Sequence, residues 1–185
     1  NLIKSGNIAY ELCRPQNLYL MWASKLLGER LSKVLLRFLP VIIFSLILPS
    51  PFNLNLATTL PRLLLFIIAL MLSSILVTVL VLLYHIICLH TLDEKGIVNM
   101  FMVVSDILSG LTIPIPFFPD YLQKVSDILP FRYVSDFPFR LYVGNISINE
   151  GLIGIGVQFV WIIILIIIGN ILMKNALKKA VVQGG

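Results

Sequence analysis

The acid best placed to do chemistry is Asp106, set in the apolar stretch Ile97–Phe118 with Ser105 beside it and Ser109 one turn on. A carboxylate inside a membrane span is costly and faces protein or water. Its chemistry would be that of a substrate path or a proton relay. The other reading is a capped, hydrogen-bonded packing contact, helped by the two serines. His85 and His90 lie five residues apart, with Cys88, Asp93 and Glu94 nearby. That spacing does not put both imidazoles on one helix face for a metal, and the cluster reads as a polar helix end. No lysine follows a glycine anywhere in the chain, so no phosphate-binding loop is present, and neither a Gly-x-Ser-x-Gly elbow nor a His-Glu-x-x-His helix occurs. An intramembrane enzyme built on Asp106 or the histidines would lack a second well-placed acid or nucleophile.

The elements that must position these residues are membrane helices. The chain has 185 residues, of which 58% are hydrophobic and 12% charged, and its mean hydropathy is +0.98. Soluble domains carry about a quarter charged residues; here lipid must solvate the excess apolar surface. A helix needs roughly 20 apolar residues to cross the hydrocarbon core. Leu63–Leu83 and Leu152–Met173 are uncharged runs that meet this alone. Val34–Leu48 is shorter and contains Arg37 and Pro40. Upstream of it, Lys25, Glu29, Lys33 and Arg37 recur every four residues as one helical stripe. This predicts an interfacial helix that enters the membrane, with Arg37 snorkelling to the headgroups; a solvated charged face accounts for the stripe as well. The fourth apolar stretch ends in Ile113-Pro114-Ile115-Pro116-Phe117-Phe118-Pro119, where proline stops a regular helix.

The expected fold is therefore an all-α integral membrane protein with four transmembrane helices in one domain, residues 1–185. Residues 1–16 precede an interfacial helix and first span at 17–48. Further spans lie at 62–89, 97–118 and 152–173, and a basic tail at 174–185. Ten of the 14 Lys and Arg residues fall at residues 1–37, 90–96 and 174–185, which makes that side cytoplasmic and both termini with it. The same topology accounts for the net charge of +5 without nucleic acid. Cys13 and Cys88 read as unpaired thiols. The outer segment 119–150 is too long for a structureless connection. Leu122, Val125 and Leu129 recur at helical spacing, and Phe131, Tyr133, Phe137, Phe139 and Tyr142 follow as interfacial aromatics. Re-entrant or surface-lying outer helices are expected there. Ala69 and Ser73 form a small-xxx-small pair, and Gln158 and Asn170 are candidate interhelix contacts.

Two stretches carry a resemblance. One runs from Ser5-Gly6-Asn7 through Tyr10-Glu11-Leu12-Cys13-Arg14-Pro15 to Tyr19. The other is Leu108-Ser109-Gly110, Ile113-Pro114, Phe117-Phe118-Pro119, Leu129-Pro130-Phe131, Pro138 and Tyr142-Val143-Gly144. Together they resemble the permease subunits of ABC-2-type transporters, in the bacterial branch with separately encoded permeases. The resemblance implies six spans, so the four read here correspond to the last four. It implies the membrane-spanning subunit of an ATP-binding cassette exporter in the bacterial cytoplasmic membrane. Its partners would be lipids, a second permease copy or paralogue, and an ATPase subunit that holds the ATP and Mg, with no cofactor in this chain. Gly6, Asn7, Tyr10, Glu11, Leu12, Arg14 and Pro15 would form the ATPase-coupling segment. Pro114, Pro116, Phe117, Phe118, Pro119 and Phe131 would form an outer gate, and Asp106 and Ser109 would face the translocation path. The alternative function is a non-transporting membrane scaffold or assembly protein.

Overall fold

The structure, a computed structural model, describes residues 17–49, 59–88 and 94–179. Within them the chain forms six α-helices and no strand: α1 Leu18–Ile47, α2 Leu60–Cys88, α3 Glu94–Leu108, α4 Asp120–Ile128, α5 Asp136–Val143 and α6 Ile148–Lys179. Two 3-10 turns, Ile115–Phe117 and Arg132–Val134, link the short helices of the segment expected to lie on the outer side, called the outer segment below. The expected coupling segment, with Gly6, Asn7, Tyr10, Glu11, Leu12, Arg14 and Pro15, lies outside the described residues, as does His90.

Helices α2 and α6 are long and apolar enough to cross a membrane. They pack against each other along their length, and α1, α3 and α5 pack against α2, which makes α2 the axis of the bundle. Leu76, Val79, Leu80 and Tyr84 of α2 meet Ile162 and Leu165 of α6 in the central layer. At one end, Leu18 and Tyr19 of α1 join Leu82, Ile86 and Met173. At the other, Ala69 meets Phe137 and Leu141 of α5. The start of α1 and the ends of α2 and α6 thus share one end of the bundle, and the outer segment caps the other. Both long helices keep apolar side chains exposed, among them Leu64, Ile67, Met71, Phe159, Ile163 and Ile167. In water that surface would be unfavourable, whereas in hydrocarbon it needs no partner.

Helix α1 is capped by the Asn17 side chain, which accepts from the backbone N–H groups of Tyr19 at 3.1 Å and Leu20 at 3.3 Å, as an asparagine N-cap does. Pro40 lies inside it and deprives the Leu36 carbonyl of its usual donor. The expected helix over 97–118 is not continuous. Its helical part has 15 residues, about 22 Å at 1.5 Å per residue, short of the roughly 30 Å hydrocarbon core.

Candidate functional site

Glycine, and not the proline cluster, ends α3. Gly110 adopts φ +79°. Its N–H donates to the Ile107 carbonyl at 3.1 Å, and Leu111 N–H donates to the Asp106 carbonyl at 3.1 Å. This pair of bonds is a Schellman motif, which needs a left-handed residue one place past the cap. The chain leaves the helix eight residues before Phe118. Pro114 then initiates the turn Ile115–Phe117, and Pro119 stands at the N-cap of α4.

The structure separates the two expected path residues. The Asp106 side chain is exposed, whereas Ser109 is buried and donates to the Asp106 carbonyl at 3.1 Å. Ser109 therefore works as part of the helix stop. Ser105 is the serine that reaches another helix. Its hydroxyl donates to the Phe101 carbonyl at 2.7 Å and accepts from the Tyr84 hydroxyl at 2.6 Å. The Tyr84 ring stacks on Phe101 with centroids 5.0 Å apart, so α3 is held to α2 by one polar and one aromatic contact.

The six expected gate residues differ in their surroundings within the chain. Phe118 and Ile115 are buried, Phe117 is 80% exposed, and Phe131 packs on the central layer of α2 and α6. Pro114, Pro116 and Pro119 are exposed. What ties this segment to the bundle is a polar node. Gln158, fully buried on α6, donates through Nε2 to the Tyr133 carbonyl at 2.9 Å, the Ser73 hydroxyl at 3.0 Å and the Ala69 carbonyl at 3.2 Å. The Ser73 hydroxyl in turn donates to the Tyr133 carbonyl at 2.9 Å. Two carbonyls face the amide, so the nitrogen and not the oxygen must point at them. The node joins α2, α6 and the turn Arg132–Val134 in an apolar setting, where a lost partner cannot be replaced by water.

Packing and charge complete the attachment. The Phe137 ring occupies the space where a Cβ on Gly154 would sit, and the Leu141 side chain crowds Gly151 in the same way. Two glycines one turn apart on α6 thus make the seat for α5. The Phe66 ring of α2 lies 4.9 Å from that of Tyr142. Arg132 pairs with Asp127 and, at 3.2 Å, with Asp136, which also faces Arg140 at 3.6 Å. This chain of alternating charge links α4, the turn and α5. The Asp136 N–H donates to the Ser109 carbonyl at 3.2 Å, which fastens α5 to the end of α3.

Ser147 and Glu150 form a capping box at the start of α6. Glu150 N–H donates to the Ser147 hydroxyl at 3.2 Å, and Ser147 N–H donates to the Glu150 carboxylate at 2.7 Å. Hydrogen bonds from Ser147, the backbone one foremost, hold this exposed carboxyl below its ordinary range. It lies ahead of the uncharged run that starts at Leu152.

Among the described residues no three His, Cys, Asp or Glu side chains converge on a metal position. His85 is exposed, and its Nδ1 lies 2.7 Å from the Val81 carbonyl. Gln158, Ser73 and Ala69 were visible in the sequence as interhelix contacts. The seat of Phe137 on Gly154 was not, since nothing local marks two positions 17 residues apart as partners.

A family model described as ABC-2 family transporter protein matches residues 1–184. No curated protein and no solved structure matches the chain.

Proposed function

The chain belongs to the ABC-2 transporter family, and we propose that it is the membrane-spanning permease subunit of an ATP-driven exporter. It is a membrane transport component and not itself the catalyst; the absence of any glycine–lysine step from the sequence leaves it without a phosphate loop. The observation that carries the proposal is the family match over 184 of 185 residues. ATP hydrolysis then belongs to a partner ATPase.

In this reading α2 and α6 form the core of the permease and carry the movement from one end of the bundle to the other. Both termini face the cytoplasm of a bacterial cell, and residues 6–15 dock on the ATPase. A second permease copy completes the path. Closure of the ATPases on ATP tilts the docked segment and, through α1, the end of the bundle where Leu18 and Tyr19 meet Leu82, Ile86 and Met173. The outer segment moves as one piece, because the Gln158 node and the Arg132–Asp136 pair tie it to α2, α6 and itself. The exposed Phe117, Pro114, Pro116 and Pro119 are the parts of the gate free to meet the second copy. Support comes from the family and the two-ended bundle. Affinity purification of the tagged full chain from its native membrane tests it. The expected result is a co-purified P-loop ATPase; stable isolation without one supports the scaffold alternative instead.

A further inference from the structure

A groove of about 270 Å³ runs between α1 and α2, lined by Leu26, Glu29, Arg30, Lys33, Val34 and Arg37 of the first and Thr78 and Val81 of the second. Three cations face it against one carboxylate. Lys33 approaches that carboxylate, Glu29, to 3.9 Å. Neither Arg30 nor Arg37 forms an ion pair with a described residue. Arg30 is nonetheless half-buried, and the α2 wall, Thr78 and Val81, offers no charge to meet it. With Glu29 facing Lys33, the two guanidinium groups leave the groove net positive, and Arg30, partly desolvated, would gain most from an anion.

The surroundings specify the missing anion. Val34 at the groove and Leu35, Leu36, Phe38, Leu39 and Ile43 beyond it are all exposed, an apolar surface continuous with the charged one. The groove's α2 wall lies one to two turns from Leu82 and Ile86, at the end of the bundle shared by the start of α1 and the end of α6. Anion chemistry next to a bare apolar face at the end of a spanning helix matches an anionic phospholipid. We propose that this groove binds one, its phosphate bridged by Arg30 and Arg37 and its acyl chains laid along α1 from Val34 onward. A guanidinium fork suits a phosphate better than an ammonium does, and basic pockets between spanning helices are a recurring way of holding such headgroups. The assignment requires only that the chain sits in a bilayer, so it stands or falls apart from the exporter reading.

Native mass spectrometry of the full chain in a neutral detergent tests it, titrating phosphatidylglycerol, phosphatidylcholine and inorganic phosphate separately. Retention of one phosphatidylglycerol in preference to phosphatidylcholine is expected. The double variant Arg30→Gln with Arg37→Gln should lose about thirtyfold in affinity, the attraction two surface cations exert on anionic lipid. Lys124→Gln, an exposed cation of the outer segment, should change nothing. Should the double variant lose its far-ultraviolet helix signal, Arg30→Lys with Arg37→Lys decides: it keeps the charge but not the fork and should bind more weakly than the native chain. Equal retention of both lipids, native affinity in the folded variants, or displacement of the lipid by millimolar phosphate would each overturn the assignment, the last by revealing a soluble-anion site.

Discussion

Replacing Gln158 by leucine removes a side chain that bonds α6 simultaneously to α2 and to the outer segment. The shape changes little, but both N–H donors vanish. The acceptors are not orphaned. The Tyr133 carbonyl keeps the Ser73 hydroxyl at 2.9 Å, and the Ala69 carbonyl keeps its place in the α2 ladder. The cost is therefore that of net bonds lost, not of buried groups left bare. Interhelical hydrogen bonds in membranes contribute about 0.6 kcal/mol on average and at most about 1.7. Three contacts shared by two protons give roughly 1–2 kcal/mol. Part of this is returned because the Gln158 Oε1, buried without a partner, disappears as well. Glutamate should do more harm. A carboxylate oxygen would face two carbonyls, so the group must take up a proton or leave the node, and several kcal/mol is expected. The assay is reversible unfolding in mixed micelles, with limited proteolysis of residues 119–147 as the local readout. Gln158→Leu should lower stability by about 1–2 kcal/mol and expose the outer segment to protease, and a double-mutant cycle with Ser73→Ala should show coupling. A leucine variant as stable and as protected as the native chain would refute the node as the outer segment's anchor.

Other perturbations follow from the same geometry. Gly154→Ala places a methyl group inside the Phe137 ring position; it should cost about 1–3 kcal/mol by overpacking, and Phe137→Leu in the same chain should recover part of the loss in the unfolding assay. Gly110→Ala meets both φ +79° and Ile115 at 3.1 Å; a loss of about 1 kcal/mol or more is expected, with Gly110→Asn milder because asparagine tolerates the left-handed region. The capping box gives a pH dependence. The Glu150 carboxyl is held low in the folded chain, so its stabilisation is complete above the unfolded carboxyl range and fades as pH falls through the lowered value. Glu150→Gln should flatten that acid limb, which unfolding curves between about pH 3 and 7 would register.

The spanning helices α2 and α6 were legible because lipid removes the need for a hydrophobic stripe: an uncharged run of sufficient length is itself the signal. The end of α3 was obscured by its own neighbours. Pro114, Pro116 and Pro119 mark a stop so loudly that the earlier one at Gly110, which depends on a backbone angle, went unread. The outer segment was legible as helical from Leu122, Val125 and Leu129, yet its facing was not. Ser126 is the buried residue of α4, while Val125 and Ile128 are exposed. Near a bilayer an apolar stripe can face outward, so periodicity locates a helix without telling which side meets protein. Asp106 and Ser109 looked like partners at one-turn spacing. The helix stop that buries the serine leaves the carboxylate outside, and that follows only from the Schellman bonds.

The central claim is that this permease couples an ATPase to movement across a bilayer. The most direct test reconstitutes the full chain in lipid vesicles with a P-loop ATPase captured alongside it, if the proposed partner exists, and compares ATP hydrolysis with and without residues 6–15. Coupling predicts that deletion abolishes the bilayer-dependent stimulation while α2 and α6 remain inserted. Hydrolysis unchanged by the deletion, with the complex intact, would contradict it.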